Sequence, residues 1–541
     1  MTSYFAPGFL AAFLPACVLL YAVAPRKVRP AILLAFSYLF VWSISNWLIV
    51  FLMLSTLIVY FAGLGMNAML EKRDAQLAEA KKGKREIRNR CKQQMKGVLV
   101  VGIIANFGIL VALKYLGFFS QVASSLLNLL GMQVTLLAPH IGITIGISFY
   151  TLMAVSYLLD VYRESVKADR NLARVALFLS FFPQIMEGPI CRYSQTVPGL
   201  WAGDPITERN LSYGSLRIAV GIVKKFIIAD RLNLYVEAVF NNYAAFDGGV
   251  IALGAVLYTI QLYCDFSGCM DVAIGMGRIF NVQMPENFRQ PFLSRTASEF
   301  WQRWHITLGT WFKDYVYYPV SLSGPCKNLT SKARKKFGNR YGPLMTSSIA
   351  LFCVWLGNGL WHGAGSQYVF FGMYYFVLIV AGGFIEPSAQ ALAARFGWDR
   401  ESTPYKTFRI ARTLVVIFIG ELFFRANGLS AGLEMFGQIV GSFSLDTFTS
   451  GALFDGSIVA FKMNTANRAM DCADFAIVAV FTALVFAAGF AREKGKNPIE
   501  WICDKGIPVR IAALVLILFA IVIFGAYGSG YAPVDPMYAQ F

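Results

Sequence analysis

The sequence predicts an all-α polytopic membrane protein, and three observations carry that prediction. Of 541 residues, 57% are hydrophobic and 15% charged, against about 25% charged in soluble domains. Apolar runs near the roughly 20 residues needed to cross a hydrocarbon core recur along the whole chain. Lys and Arg gather in alternate connections between those runs, as they do in short cytoplasmic loops. A soluble protein is excluded by the composition. So is a disordered one, because abundant apolar and aromatic side chains bury themselves rather than stay solvated.

In chain order, the first runs are Phe9–Ala24, Ala31–Trp47 and Leu48–Leu70. The first has no basic residues before it, has Arg26, Lys27 and Arg29 just after it, and leads directly into further spans, which argues against a cleaved leader. Gly97–Leu116, Ile141–Val161, 214–240, 249–267, Pro343–Trp361, Val369–Ile385, 407–424, Phe475–Phe490 and Ile511–Ala526 follow. Together these give roughly eleven or twelve crossings. The 214–240 run is the weakest, since Arg217, Lys224, Lys225 and Arg231 interrupt it and each cation at mid-depth costs about 2.5–3.5 kcal/mol on insertion scales. Part of it is expected along the interface as an amphipathic helix.

The 48 basic and 31 acidic residues leave a net charge of +17. In a soluble protein that balance would suggest nucleic acid. Here the cations fall in loops assigned to the cytoplasm: Arg26–Arg29, Lys72–Lys96, Arg163–Arg170, Lys327–Arg340, Arg395–Arg409 and Arg492–Arg510. The Ser45–Asn46 turn, the 119–140 loop, the 427–472 stretch and the tail from Gly528 then lie outside, with both termini extracytoplasmic. The most basic stretch, Glu71–Lys96, mixes in acidic residues and holds no aromatic for base stacking. It reads as a solvated link between spans, so no nucleic-acid partner is expected and the bilayer is.

Nine Cys are scattered without a CxxC pair, so neither a metal nor a disulfide framework is expected. The chain reads as one membrane domain, with N-terminal helices in 1–170, a core in 171–430 and C-terminal helices in 431–541.

Chemistry is sought where polar residues break the apolar pattern. Phe181 to Ile190 is too short to span and is bracketed by Pro183 and Pro189. Broken backbone at membrane depth needs cover from protein or a water-filled cavity, so this reads as a re-entrant or interfacial turn. Its Glu187 lines a polar cavity, pairs with a cation, or is a surface-loop carboxylate. Asp265-Phe266-Ser267-Gly268 closes an apolar run, with Asp271 six residues after Asp265, which is not helical pair spacing. Gly275 and Gly277 lack the setting of a nucleotide fingerprint and suit helix packing. In 299–315, Trp301, Trp304, Leu308, Trp311 and Tyr315 follow 3-4-3-4 spacing, the stripe of an amphipathic interfacial helix with His305 at its border. Taken alone, His305 reads as structural. His362 differs: it ends an apolar run within Asn358-Gly359-Leu360-Trp361-His362-Gly363, and intramembrane ionisable groups are functional candidates because burying them is costly. The chain has three His in all, and His140 lies in an uncharged loop without such a setting.

These words, in order, resemble the membrane-bound O-acyltransferases, and within them the bacterial alginate O-acetylase-like branch. The matching segments are Phe182-Pro183-Gln184 with Gly188-Pro189, Asp265 to Gly268, Pro285-Glu286-Asn287-Phe288, Phe300 to His305, Asp314 to Pro319, Gly359 to Gly363, and Phe423-Phe424-Arg425-Ala426. Cys269-Met270 and Val320 to Ser323 depart from the branch's usual residues. The resemblance implies a funnel of transmembrane helices with re-entrant and interfacial elements, His362 as catalytic residue and His305 nearby as the second catalytic candidate. Trp361, Trp304, Asn358, Asp265 and Glu187 are supporting candidates.

The expected reaction is acyl transfer from a cytoplasmic thioester to a hydroxyl presented from the other side, with His362 as general base, because imidazole titrates near neutrality. The resemblance implies acetyl-CoA as donor, with no bound cofactor or metal, and an exopolysaccharide or wall-polymer acceptor, often reached through an extracytoplasmic SGNH-type acyltransferase. The alternative is D-alanyl transfer from an acyl-carrier thioester towards teichoic acid. A transporter or polysaccharide flippase also fits the span number, but no paired broken helices in two related halves are evident.

Overall fold

Helices follow the apolar runs. The computed structural model describes residues 3–132, 134, 136, 142–450, 470–527 and 531. His140 and nearly all of the tail from Gly528 lie outside the described residues. Among the described residues, seven helical stretches are long and apolar enough to cross a membrane: Arg29–Glu79, Lys84–Leu129, Gly248–Ile279, Gly324–His362, Ser366–Arg395, Cys472–Glu493 and Ile507–Phe524. The first holds two helices, Arg29–Ser45 and Ile49–Glu79, parted where Asn46 takes a positive φ of 51°. Phe9–Val23 and Ile147–Tyr162 are apolar helices below that length. Outward faces are apolar, as lipid requires: on Ile507–Phe524, Leu516 and Val522 are exposed. Among the described residues no strand forms, and the one isolated antiparallel bridge joins Phe288 to Trp304.

Contacts divide the described residues into two compact units, one within 1–215 and 273–285, the other within 216–272 and 286–537. In the first, Ile49–Glu79 and Lys84–Leu110 pack together as a hairpin that turns at Gly83. The Phe181 to Ile190 turn belongs to this unit and is wholly buried. Phe182–Ile185 forms one helical turn. Tyr4 clamps it from both sides, donating to the Phe182 carbonyl at 2.7 Å and accepting from the Met186 N–H at 3.2 Å. Ser37 accepts from the Phe182 N–H at 3.0 Å. These side chains supply partners that a proline-broken backbone lacks. Glu187 is fully buried, so of the placements open to it the surface loop is not the one adopted.

The second unit shows how the cations of 214–240 are accommodated. Arg217, Lys224, Lys225 and Arg231 are all buried and paired with carboxylates. A π-helical stretch, Val223–Ala229, follows Glu208–Ile222. From it Lys224 reaches Asp271 at 2.6 Å, while Lys225 reaches Asp265 at 2.7 Å and Asp230 at 2.9 Å. Arg217 bonds Asp271 at 3.0 Å and Glu286 at 2.6 Å, and Arg231 pairs with Asp474. Six residues along a helix is about 9 Å, so Asp265 and Asp271 meet two adjacent lysines rather than each other. Their spacing in sequence gave no ground for claiming a carboxylate pair, and their lysine partners come from another segment.

Candidate active site

The site is built in the second unit around the Trp304-His305 step. The expected continuous amphipathic helix over 299–315 is broken there, into Ala297–Arg303 and Ile306–Phe312. His305 sits between them in the left-handed region, φ 48° and ψ 50°. Such a backbone costs of order 1–3 kcal/mol and persists where its surroundings impose it. Here the 287–289 segment imposes it. The Ile306 N–H donates to the Asn287 carbonyl at 3.0 Å, and the Arg289 N–H donates to the Arg303 carbonyl at 2.9 Å. The Asn287 side chain continues the clamp: its Oδ1 accepts from the Thr307 N–H and from the Thr307 hydroxyl, each at 2.9 Å.

The kink turns the aromatic stripe inward. Trp304 is 3% exposed and stacks on Phe300 at 5.3 Å between centroids, with Phe288 edge-on at 5.0 Å. Trp301 points to Trp355 and Tyr375, at 5.1 and 4.8 Å. Leu308 and Trp311 are buried too. The apolar stripe of the segment is thus a wall of the protein core.

His362 ends the helix that begins at Gly324, and Gly363 continues as extended backbone. Its imidazole is buried, with the Phe424 ring edge-on at 5.0 Å and Phe371 at 6.1 Å. The glycines around it allow close packing. A Cβ at Gly359 would lie 2.5 Å from the Tyr368 carbonyl oxygen, and one at Gly357 would lie 3.0 Å from the Phe312 ring. Trp361 joins the two histidines, its ring centroid 4.9 Å from His362 and 5.8 Å from His305. Asn358, one turn before His362, is buried, and its Oδ1 accepts no hydrogen bond among the described residues.

His305 is buried as well. The Phe266 ring stands edge-on to it at 4.8 Å, and Asn287 lies 3.2 Å from its Nδ1 through Nδ2 and 3.3 Å through Oδ1. Burial holds this imidazole far below its ordinary value, down to about 3, so it is neutral.

The structure therefore brings His305, Trp361 and His362 together, with Asn358 on the His362 helix and Trp304 beside His305 in the chain. Asp265 is directed to Lys225, while its neighbour Phe266 packs on His305. Glu187 belongs to the other unit. Two residues escaped the sequence reading. Asn287 was part of a matching word but was given no role, because only tertiary pairing shows it gripping the 305–307 backbone. Glu421 is 1% exposed, and its Oε2 has no hydrogen-bond partner among the described residues. Three residues on, Phe424 touches His362. A carboxylate inside an apolar run is the signal that could have found it.

Membrane-length helices carrying a buried pair of histidines packed on one indole define a polytopic membrane protein with a candidate site in its interior. Residues 158–334, which include His305, match the MBOAT, membrane-bound O-acyltransferase family. The chain is 30% identical over 542 aligned residues to the probable alginate O-acetylase AlgI of Pseudomonas putida, covering 98% of this chain and 99% of that protein. It is 28% identical to the peptidoglycan O-acetyltransferase of Helicobacter pylori, over 63% of this chain and 64% of that one. It is 33% identical to the teichoic acid D-alanyltransferase of Bacillus subtilis, over 46% and 61%. The chain belongs to the membrane-bound O-acyltransferase family and is a multi-pass membrane acyltransferase.

Proposed function

We propose that the protein transfers an acyl group, acetyl in the first instance, from a cytoplasmic thioester to hydroxyls destined for an extracytoplasmic polysaccharide. The convergence of His305 and His362 on the Trp361 ring carries this reading. Two imidazoles 57 residues apart in sequence are both buried and packed on the same indole, an arrangement that suits general acid–base chemistry on a water-sensitive donor.

In this reading His362 accepts the proton of the attacking hydroxyl. The new C–O bond forms, the thioester C–S bond breaks, and His362 returns the proton to the departing thiolate. Neutral His305 donates a hydrogen bond to the oxyanion, a role commonly worth several kcal/mol. The open Oδ1 of Asn358 accepts from the hydroxyl and holds it towards His362. Trp304, Phe288 and Phe266 exclude water that would hydrolyse the donor.

Acetyl-CoA is the donor and an SGNH-type acyltransferase the downstream partner in this proposal, in a bacterial cytoplasmic membrane with both termini outside. Near-complete coverage of a relative named for alginate O-acetylation supports acetyl over D-alanyl transfer, since the D-alanyltransferase matches under half of this chain. The test is transfer by the purified protein in proteoliposomes with isotopically labelled acetyl-CoA, with mass spectrometry of surface polymers from cells carrying wild type or His362→Ala. Loss of transfer of about 10²–10⁴-fold in His362→Ala is expected. Unchanged transfer overturns the assignment, and D-alanine esters without acetyl esters reverse the donor.

A further inference from the structure

We infer that Asn287 is the positioning residue that fixes the tautomer of His305, so that its Nε2 carries the proton and Nδ1 is bare. This rests on the proposed role of His305 as hydrogen-bond donor. An isolated imidazole populates both neutral tautomers, and the partner at one nitrogen decides which persists.

The geometry decides it here. A backbone N–H can only donate, so the Thr307 N–H at 2.9 Å identifies the Asn287 atom facing it as the carbonyl oxygen and settles the orientation of the amide. That oxygen also takes the Thr307 hydroxyl at 2.9 Å. A carbonyl oxygen has two lone-pair directions, and Thr307 fills both. The other end of the amide, Nδ2, therefore faces His305. It lies 3.2 Å from Nδ1, and its second hydrogen points to the Met270 sulfur at 3.3 Å. A donating amide nitrogen requires a bare Nδ1, and the imidazole proton of the neutral ring then resides on Nε2. The rings packed on His305, Phe266 and Trp361, bring no charge that would oppose this.

One side chain thus does two things. Its oxygen grips Thr307 and holds His305 in its left-handed backbone, and its nitrogen selects the tautomer. The alternative contact, Nδ1–H donating to Oδ1 at 3.3 Å, would crowd a third hydrogen onto an oxygen already shared and leave Nδ2 facing a hydrogen.

Asn287→Asp separates the two jobs, because a carboxylate still accepts from Thr307 but cannot donate to Nδ1. With three His in the chain, ¹⁵N-histidine labelling of the purified full-length protein resolves His305 by comparison with His305→Gln. Wild type is expected to show a bare Nδ1 and protonated Nε2. In Asn287→Asp the proton moves to Nδ1, kcat falls at least tenfold at alkaline pH with little change in donor KM, and it partly recovers as acid restores the proton on Nε2. Asn287→Gln is expected to restore less transfer than wild type while keeping the wild-type pH profile. A wild-type spectrum with the proton on His305 Nδ1 overturns the inference, and needs no Asn287 variant to fold. So does an Asn287→Asp enzyme with wild-type kcat and pH profile. Failure of the catalytic reading is distinct: it would appear as undiminished transfer in His362→Ala, whatever the spectrum shows.

Discussion

Trp361 meets the His362 imidazole edge to face, with centroids 4.9 Å apart and planes at 79°. The same indole stands 5.8 Å from His305. A consecutive aromatic and imidazole thereby tie the end of one membrane-length helix to a kinked segment earlier in the chain.

Trp361→Phe should keep most activity, since a flat aromatic still separates the two rings. Trp361→Ala should lower transfer by about 10–100-fold, because displacement near 1 Å costs that order, and should raise hydrolysis of the donor relative to transfer. Partition of labelled acetyl between polymer and free acetate measures both. An alanine variant with the wild-type partition would show that the indole neither positions nor shields.

Lys225 lies between Asp265 and Asp230 in the buried interior. Lys225→Met strands two carboxylates and is expected to destabilise by about 3–5 kcal/mol, as breaking buried pairs does. Adding Asp265→Asn should recover part of that loss. Thermal unfolding in detergent reads both, and equal melting temperatures for Lys225→Met and wild type would remove any structural role for the pair.

Gly359→Ala tests the packing beneath His362. Its new methyl would sit 2.5 Å from a main-chain oxygen, and strain of this kind costs about 1–3 kcal/mol. Transfer should fall with little change in the amount of folded protein. The exposed Gly437, where a Cβ meets nothing within 4 Å, is the control: Gly437→Ala should leave transfer at wild-type level. A Gly359→Ala enzyme as active as that control would mean the helix relaxes freely.

Stability should carry the mark of His305. Its folded-state value lies near 3, against about 6.5 for an unperturbed imidazole. Between those values the unfolded chain binds the additional proton, so stability is whole above about 6.5 and is lost as pH falls below it. His305→Gln removes this contribution. Melting temperatures at pH 5 and 7.5 should therefore differ less in the variant than in wild type, and an equal drop in both would refute the assignment.

Much of the fold was legible because membrane helices announce themselves by length and apolarity: the runs at 249–267, 343–361 and 475–490 each lie inside an observed helix. His362 was legible for a related reason, since an imidazole closing an apolar run is costly and stands out. The 299–315 stripe misled, because 3-4-3-4 spacing assumes an unbroken helix, and Trp304 instead bridges to Phe288. Local periodicity carries no information about a bridging partner from another segment. The cations of 214–240 misled similarly, each looking unaffordable in a span until its carboxylate was known.

Composition, run length and charge alternation determined by themselves that this is a multi-pass membrane protein, and the rarity of histidine marked two positions in it. Those are properties of single residues and their near neighbours. Only the tertiary structure decided that His305 leaves the helix, that Trp361 reaches both imidazoles, that Asp265 serves a lysine rather than the histidines, and that Asn287 belongs to the site. Each depends on which distant segments meet, because a hydrogen bond or a ring contact acts over a few ångströms of space however many residues separate its partners.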